Sequence, residues 1–270
     1  MRLIACDLDG TLLDPDGLVT DRSVAALRAA RSAGVLVVIA SGRPTFMAAP
    51  IIERVGDTIT HGVMANGSVI CTFPDGNVLR SIEFDITRAV DTVHRLRALD
   101  PGFGFALATD AGFAHEPGFA ELMPTASPGP SSPDALLAAI GATVAGKLMV
   151  FHRSQSAHAL LETLPPMVGN DLGVTHMGAD CVEIGPTGVD KAAGLSWLCE
   201  HLSIDAADVV AFGDEYNDHE MLRWAGRGVA MGNAPEVTRS FADKVTLTNG
   251  EDGLAVVVER LLRDQPRRSS

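Results

Sequence analysis

Short apolar runs alternate with amphipathic segments in the first part of the chain. Residues 3–6 and 35–40 are apolar at nearly every position, and residues 22–33 between them have helical periodicity. Thr20 or Asp21 can cap that helix at its N-terminus. Strands that are apolar on both faces and alternate with helices are typical of a parallel sheet covered on both sides. The pattern predicts an α/β fold with a Rossmann-like, doubly wound parallel sheet.

Polar residues follow several of these apolar runs directly. They are Asp7 and Asp9 after 3–6, Ser41, Gly42 and Arg43 after 35–40, Asn66 and Gly67 after 62–65, and residues 213–218 after 209–212. Ligands of parallel sheets bind beyond the carboxyl ends of the strands, so a site is expected at that edge. Asp7 and Asp9, two apart on an extended backbone, would point to the same side and could share one small ligand or one metal ion.

The regular alternation of strands and helices stops in the middle of the chain. Helical segments there are less regular, and Pro124–Pro133 is rich in Pro and Gly. The strand candidates are short; they are residues 103–109, 147–151 and 181–184. Residues 190–202 favour a helix that returns to the sheet, 228–231 a late strand, and 263–270 a frayed tail. We therefore expect a core of residues 1–79 and 188–270, with an inserted α+β domain over 80–187.

Composition restricts the classes of partner. A formal charge of −13 and a pI near 4.9 repel nucleic acids and anionic membranes. The four cysteines do not have the spacing found in zinc sites, and we expect them to be reduced residues of the core. Neither a leader segment nor an apolar run of about 20 residues is recognisable. The expectation is a cytoplasmic protein that binds a small molecule, with its oligomeric state open.

The carboxylates indicate a metal site. Asp7, Asp9, Asp214 and Asp218 would form a cluster of hard oxygen ligands, which suits Mg²⁺. Lys191 lies in the first helical turn, where the helix dipole disfavours a cation by up to about 1 kcal/mol, so a compensating partner is expected.

Four segments together resemble a known family. Asp7-Leu8-Asp9-Gly10-Thr11, Ser41-Gly42-Arg43, Gly188-Val189-Asp190-Lys191 and Gly213-Asp214-Glu215-Tyr216-Asn217-Asp218 are similar, in this order, to the four motifs of the haloacid-dehalogenase-like (HAD) phosphatases. Among these the Cof-type hydrolases are most similar, because the insertion falls between the second and third motifs. The resemblance also takes in Asn66-Gly67 and Ala230-Met231-Gly232-Asn233-Ala234. The resemblance implies the HAD fold with an inserted cap domain. It also implies an Mg²⁺-dependent phosphatase that acts on a small phosphorylated metabolite, with sugar phosphates as the leading class.

The resemblance also implies residue roles. Asp7 would be the nucleophile that forms an aspartyl-phosphate, and Asp9 the general acid and base whose carbonyl binds Mg²⁺. Asp214 would bind the metal, and Asp218 would lie behind it or contact Lys191. The phosphoryl oxygens would be held by the side chains of Ser41, Lys191 and Asn217 and by backbone N–H groups near Leu8 and Gly42.

Other residues keep two interpretations. Arg43 could contact substrate or form an ion pair, Glu215 has a weak claim to a ligand role, and Asn66 could reach the site, although Asn-Gly more often makes a tight turn. Several residues of the insertion could contact the substrate: His115, His152, His158, His176, Asp180, Glu183, Phe103, Phe105 and Phe113. Against this, carboxylates are usually solvated and aromatic residues usually form core. Trp197 and Trp224 are expected to pack helices.

Three other functions remain possible from the sequence. A phosphomutase of sugar phosphates would use the same Asp pair, and a bisphosphate requirement would reveal it. A nucleotide-sugar transferase with a metal-binding Asp-x-Asp would not account for Lys191. A non-catalytic phosphate-ligand binding protein would have little use for both Asp7 and Asp9.

Overall fold

The computed structural model describes residues 1–109, 112–116, 118–119, 144–176 and 180–264. The chain divides into two compact units. One consists of Met1–Ser81 and Asp190–Ser270, and the other of Ile82–Val189. We call them the core unit and the inserted unit.

The core unit contains an eight-stranded sheet. Its strands are β1 Leu3–Cys6, β2 Leu36–Ala40, β3 His61–Met64, β4 Val69–Thr72, β5 Val78–Ser81, β12 Val209–Gly213, β13 Arg227–Ala230 and β14 Lys244–Val245. They lie in the order β14-β13-β12-β1-β2-β3-β4-β5. All neighbouring pairs from β14 to β3 are parallel, whereas the pairs β3–β4 and β4–β5 are antiparallel, so β4 alone runs opposite to the other strands of this sheet. The strand that opens the chain therefore lies in the middle of the sheet, between β2 and β12.

Helices cover both faces of this sheet because its central strands are apolar on both sides. Ile4 and Cys6 of β1 belong to one buried cluster, and Leu3 and Ala5 to another. The helices of the core unit are Asp21–Ser32, Ala49–Val55, Lys191–Leu202, His219–Trp224, Glu236–Arg239 and Gly253–Asp264. The first, second and last pack on one cluster, and Lys191–Leu202 and His219–Trp224 on the other. This confirms the α/β, doubly wound arrangement.

The inserted unit is built on an antiparallel sheet in the order β10-β11-β9-β7-β8, with β6 also paired to β9. Its strands are β6 Phe84–Asp85, β7 Phe103–Thr109, β8 Gly112–His115, β9 Val144–His152, β10 Leu172–His176 and β11 Val182–Pro186. The described helices are Ile86–Leu99, Ala157–Thr163 and Pro165–Val168. They share a separate hydrophobic cluster with the sheet, in which Phe103 and Phe105 are buried as expected.

Most predicted elements agree with the structure to within a few residues. Thr20 caps the first helix by accepting a hydrogen bond from the N–H of Ser23. The last helix reaches Asp264, so the predicted frayed tail was wrong at 263 and 264, because Leu254 and Val258 anchor that helix in the core. Pro124–Pro133 and residues 265–270 lie outside the described residues. Within the described part of the chain, no helix has the length and apolar character needed to span a membrane.

Candidate active site

The predicted motifs meet at one edge of the core sheet. Cys6 of β1 is in register with Ile39 of β2 and Phe212 of β12, so these three parallel strands end side by side. Asp7, Ser41 and Asp214 follow them within one or two residues. The parallel register therefore brings together residues that are more than two hundred positions apart in the chain.

The loop after β1 separates the two aspartates of the first motif. β1 ends at Cys6, and residues 8–12 then form one wide helical turn, in which the N–H groups of Leu12 and Leu13 donate to the carbonyls of Asp7 and Leu8. Gly10 permits this turn with a φ of +72°. Strand β1 thus ends before both aspartates, so the continuous extended backbone from which their shared side was predicted is not present.

Lys191 is the positive centre of the site. It is fully buried, and its Nζ lies 3.0 Å from Asp7 Oδ1 and 2.7 Å from Asp218 Oδ1. Burial acts to lower the pKa of Lys191, but the carboxylates of Asp218 and Asp7 outweigh burial and raise it. The two carboxylates are the compensating partners that a lysine at a helix N-terminus requires.

Asp218 holds the fourth motif in shape. Its Oδ2 accepts hydrogen bonds from the backbone N–H groups of Asp214 at 2.9 Å and Glu215 at 3.0 Å, while Oδ1 binds Lys191. Gly213 makes room for it, because a Cβ there would lie 2.4 Å from Asp218 Cγ. Both oxygens of Asp218 are therefore engaged within the protein.

Asp214 is oriented by two residues to which sequence reasoning gave no role. Thr11 Oγ1 donates to Asp214 Oδ1 at 2.8 Å, and Asn233 Nδ2 donates to Asp214 Oδ2 at 3.2 Å and to the carbonyl of Gly10 at 2.9 Å. Thr11 belongs to the first motif and Asn233 to the segment Ala230–Ala234. Both residues therefore belong to segments that resemble the family, and this was the signal by which the sequence could have indicated a role for them.

The site carries more negative than positive charge. Ligand atoms of Asp7, Asp214 and Asp218 lie within 4.8 Å of one another, and Lys191 is their shared cation. Burial raises the pKa of Asp7 well above its usual range, with Lys191 opposing and the other two aspartates adding to the rise. Burial and the charge of Asp218 raise the pKa of Asp214 to about 7. Three buried carboxylates with one ammonium group fit a divalent cation with a preference for oxygen.

Arg43 is paired with Asp9. Its Nε donates to Asp9 Oδ2 at 2.7 Å, and its Nη2 donates to Asp9 Oδ1. The Asp9 side chain is 58% exposed, whereas Asp7 is buried. Asp9 is therefore the solvent-accessible carboxylate of the first motif, and Arg43 takes the ion-pair interpretation in this structure.

The remaining predicted residues lie around the same edge. Ser41 is buried, and its Oγ accepts from the backbone N–H of Arg43 at 3.2 Å. Asn217 Nδ2 donates to Asn66 Oδ1 at 3.0 Å, and a Cβ on Gly42 would lie 3.6 Å from the same Asn217 atom. Asn66 is in a turn, as favoured from the sequence, but its buried side chain also contacts the fourth motif. Leu8 is fully buried in the core.

In the inserted unit, Glu183 is not the solvated carboxylate that was expected. It is 2% exposed, and Nζ of Lys147 donates to it. Glu183 is in register with Met149 across β9 and β11, so Lys147 is its diagonal neighbour on the same sheet face. Asp180 accepts from the N–H of Ala157 at 2.9 Å. The side chains of Phe113 and His176 lie outside the described part.

The buried Asp7, the buried Lys191 and an acidic group that could hold a metal ion lie together at the carboxyl edge of a parallel sheet, as the resemblance to the HAD hydrolases implied. The chain matches the family model of the haloacid dehalogenase-like hydrolases over residues 4–258, and it belongs to that family. This confirms the Cof-type HAD resemblance, the fold class and the enzyme class, a phosphoric monoester hydrolase.

Relatives match along almost the whole chain. Phosphatase YwpJ of Bacillus subtilis is 31% identical over 97% of this chain and 100% of its own length. The 5-amino-6-(5-phospho-D-ribitylamino)uracil phosphatase YcsE of the same organism is 30% identical over 96% of this chain and 94% of its own. A solved haloacid dehalogenase-like hydrolase from B. subtilis has a TM-score of 0.83 at 29% identity, covering 97% of this chain and all of that one.

The closeness of Gly10 to Asp214 leads to a testable prediction. A Cβ on Gly10 would lie 2.0 Å from Asp214 Oδ2, so Gly10→Ala must displace that carboxylate. Because a shift of about 1 Å in a site can cost about 100-fold in rate, kcat/KM should fall by roughly that factor. Gly17→Ala is the matched control, since Gly17 has a similar φ of +76° with nothing within 4 Å of a Cβ. Equal losses in both variants would assign the effect to backbone strain instead.

Proposed function

We propose that this chain is an Mg²⁺-dependent phosphatase that hydrolyses a small phosphorylated metabolite through an aspartyl-phosphate on Asp7. The substrate class that we favour is a sugar or sugar-alcohol phosphate. The observation that carries the proposal is the buried Asp7 at the end of β1, which is bonded to Lys191 and lies within metal-sharing distance of Asp214. Family membership and the phosphatase names of the relatives support it. The inserted unit is proposed as the cap of this enzyme.

In the first half of the reaction, a carboxylate oxygen of Asp7 attacks the phosphorus. The bond from phosphorus to the leaving oxygen breaks, and Asp9 gives its proton to that oxygen. Lys191 favours the ionised form of Asp7 against the effect of burial. With Ser41, Asn217 and the backbone N–H groups near Leu8 and Gly42, it neutralises the phosphoryl oxygens.

In the second half, Asp9 takes a proton from water as the water oxygen attacks the phosphorus. The bond between Asp7 and phosphorus breaks, inorganic phosphate leaves, and both carboxylates return to their starting state. The exposure of Asp9 suits a group that exchanges protons with solvent, and Arg43 orients its carboxylate.

The acidic group fits a magnesium ion. Asp7 and Asp214 would hold it directly, with the carbonyl of Asp9 implied by the family resemblance and Asp218 supporting from behind through its bonds to Asp214 and Lys191. When bound, Mg²⁺ supplies positive charge that offsets the carboxylates and orients the phosphoryl group.

The test is phosphate release from a panel of sugar phosphates, sugar-alcohol phosphates, pyridoxal phosphate and an aryl phosphate. Each compound is assayed with Mg²⁺ and with EDTA, and with a sugar bisphosphate added in a parallel series. Release that needs Mg²⁺ from at least one compound is the expected result. Phosphoryl transfer between sugar positions that depends on the bisphosphate would establish a mutase. Binding without turnover across the panel would overturn the proposal in favour of a binding protein.

Protons should compete with Mg²⁺ at this site. Because the pKa of Asp214 is raised to about 7, this carboxylate becomes protonated as the pH falls through neutrality, and metal binding must then displace a proton. For one displaced proton, the Mg²⁺ concentration at half-saturation should rise about tenfold between pH 8 and pH 6. Thermal stabilisation by Mg²⁺ measures this without relying on activity. A half-saturation point that stays constant over this range would contradict the prediction.

A further inference from the structure

The turn that follows β3 contacts three of the four motifs. Ala65, Asn66 and Gly67 have φ values of +52°, +52° and +92°, so three consecutive residues occupy the left-handed region. Glycine adopts this region freely and asparagine tolerates it, but alanine rarely does. Such a backbone persists only where its surroundings hold it in place, and this is typical of functional sites.

Backbone bonds tie this turn to the second motif. The N–H of Ala65 donates to the carbonyl of Arg43 at 3.0 Å, and the N–H of Asn66 donates to the carbonyl of Ser41 at 2.9 Å. The segment that carries Ser41 is therefore fixed by the turn.

Gly67 ties the turn to the third motif. A Cβ on Gly67 would lie 2.1 Å from the carbonyl oxygen of Asp190, so the two backbones are in direct contact. Asp190 caps the helix that begins with Lys191 by accepting from the N–H of Ala193. The turn thus supports the start of the helix that carries Lys191.

The Asn66 side chain reaches the fourth motif. It is 5% exposed, and its Oδ1 accepts a hydrogen bond from Nδ2 of Asn217 at 3.0 Å. A Cβ on Gly42 would lie 3.4 Å from Asn66 Oδ1 and 3.6 Å from Asn217 Nδ2, so the two amides lie against the Gly42 backbone. A residue needed only for its left-handed backbone would not require this buried contact.

We propose that Asn66 is a positioning residue that orients the side-chain amide of Asn217 toward the transferring phosphoryl group. By accepting one N–H of Asn217 Nδ2, Asn66 fixes which end of that amide is the nitrogen and leaves the second N–H for a phosphoryl oxygen. The inference rests on the proposed function, because it assigns Asn66 to the phosphate-binding part of the same site.

Asn66→Gly is the sharpest variant. Glycine accepts a φ of +52° without strain, so the turn is kept and only the side chain is lost. We expect kcat/KM to fall about tenfold or more, mainly through kcat, because a misaligned donor weakens transition-state binding most. The melting temperature should stay within a few degrees of wild type. Asn77→Gly, at an exposed position in the turn between β4 and β5, is the matched control with unchanged activity.

The double variant tests whether Asn66 acts through Asn217. Asn217→Ala alone should lower kcat/KM at least as much as Asn66→Gly, and the double variant should be no slower than Asn217→Ala, because the orienting bond then has nothing to orient. Losses that multiply in the double variant would overturn the proposal. A fully active Asn66→Gly would overturn it as well, by showing that the residue serves the turn alone.

Two further measurements keep the outcomes distinct. Asp7→Asn is assayed in parallel: its inactivity beside a fully active Asn66→Gly would reject the inference alone, whereas an active Asp7→Asn would reject the proposed function. If Asn66→Gly fails to fold, inhibition of Asn217→Ala by orthovanadate decides the matter. Weaker inhibition than in wild type is expected, and equal inhibition would overturn the role of the amide that Asn66 orients.

Discussion

Asp7→Asn should abolish phosphate release, with a loss of about 10⁴-fold or more, and should leave the fold intact. An amide at this position has the size of the carboxylate but cannot act as the nucleophile, and losses of this order follow the removal of a nucleophile. The measurement is steady-state release from whichever phosphate ester is turned over fastest, with circular dichroism to check the fold. Activity within tenfold of wild type would remove Asp7 from the nucleophile role.

The same variant should not be less stable in EDTA. Burial raises the folded-state pKa of Asp7, so the ionised carboxylate is less favourable in the folded than in the unfolded protein. This difference lowers the free energy of unfolding at neutral pH, and it is absent below the unfolded-state pKa. Replacing it by a neutral amide removes that penalty, although the ion pair with Lys191 is also lost. The melting temperature of the metal-free variant should therefore equal or exceed that of wild type. Added Mg²⁺ should raise it less than in wild type, because one ligand has lost its charge.

Lys191→Met should remove activity and also destabilise the core unit. Methionine has a similar length, but it leaves the carboxylates of Asp7 and Asp218 buried without their cation. Removing one partner of a buried ion pair costs about 3–5 kcal/mol. Urea unfolding at pH 8 should show a loss of that order. The loss should shrink at pH 5, because protonation of Asp7, whose folded-state pKa is raised, removes one of the two uncompensated negative charges.

Two comparisons make this second prediction specific. Lys244→Met removes a lysine from exposed edge strand β14 and should change neither stability nor rate. The double variant Asp7→Asn/Lys191→Met should recover part of the stability lost in Lys191→Met, since one uncompensated charge is gone. A Lys191→Met protein as stable as wild type would show that the cation is not needed to hold the two carboxylates.

The strand ends of the core could be predicted because the sequence is simple there. Residues 3–6 and 36–40 are apolar throughout, and the first polar side chain marks the end of each strand, so Asp7 and Ser41 were placed correctly beyond β1 and β2. Parallel strands then bring their carboxyl ends to one edge. The location of the site followed from pattern alone, without knowledge of any side-chain contact.

Side-chain pairs could not be predicted in the same way. Whether Arg43 binds Asp9 or substrate, and whether Glu183 meets water or Lys147, depends on loop shape and on which residue faces which across two strands. Asn66 shows the same limit: the Asn-Gly pair indicates a turn, but its contact with Asn217 joins residues 151 positions apart. The sequence pattern indicates where helices and strands begin and end. Contacts between side chains of different elements depend on how those elements pack.

The place of β1 between β2 and β12 has a consequence for synthesis. Asp7 leaves the ribosome before β12 and Asp214, which follow about two hundred residues later and lie on the side of β1 opposite β2. At about 5–20 residues per second, a nascent chain waits on the order of ten seconds or more with the backbone N–H and C=O groups along one edge of β1 unpaired. During that time the inserted unit, which has its own hydrophobic cluster, is fully synthesised and can fold. The nascent chain therefore cannot complete its active site before the strand that precedes Asp214 has emerged.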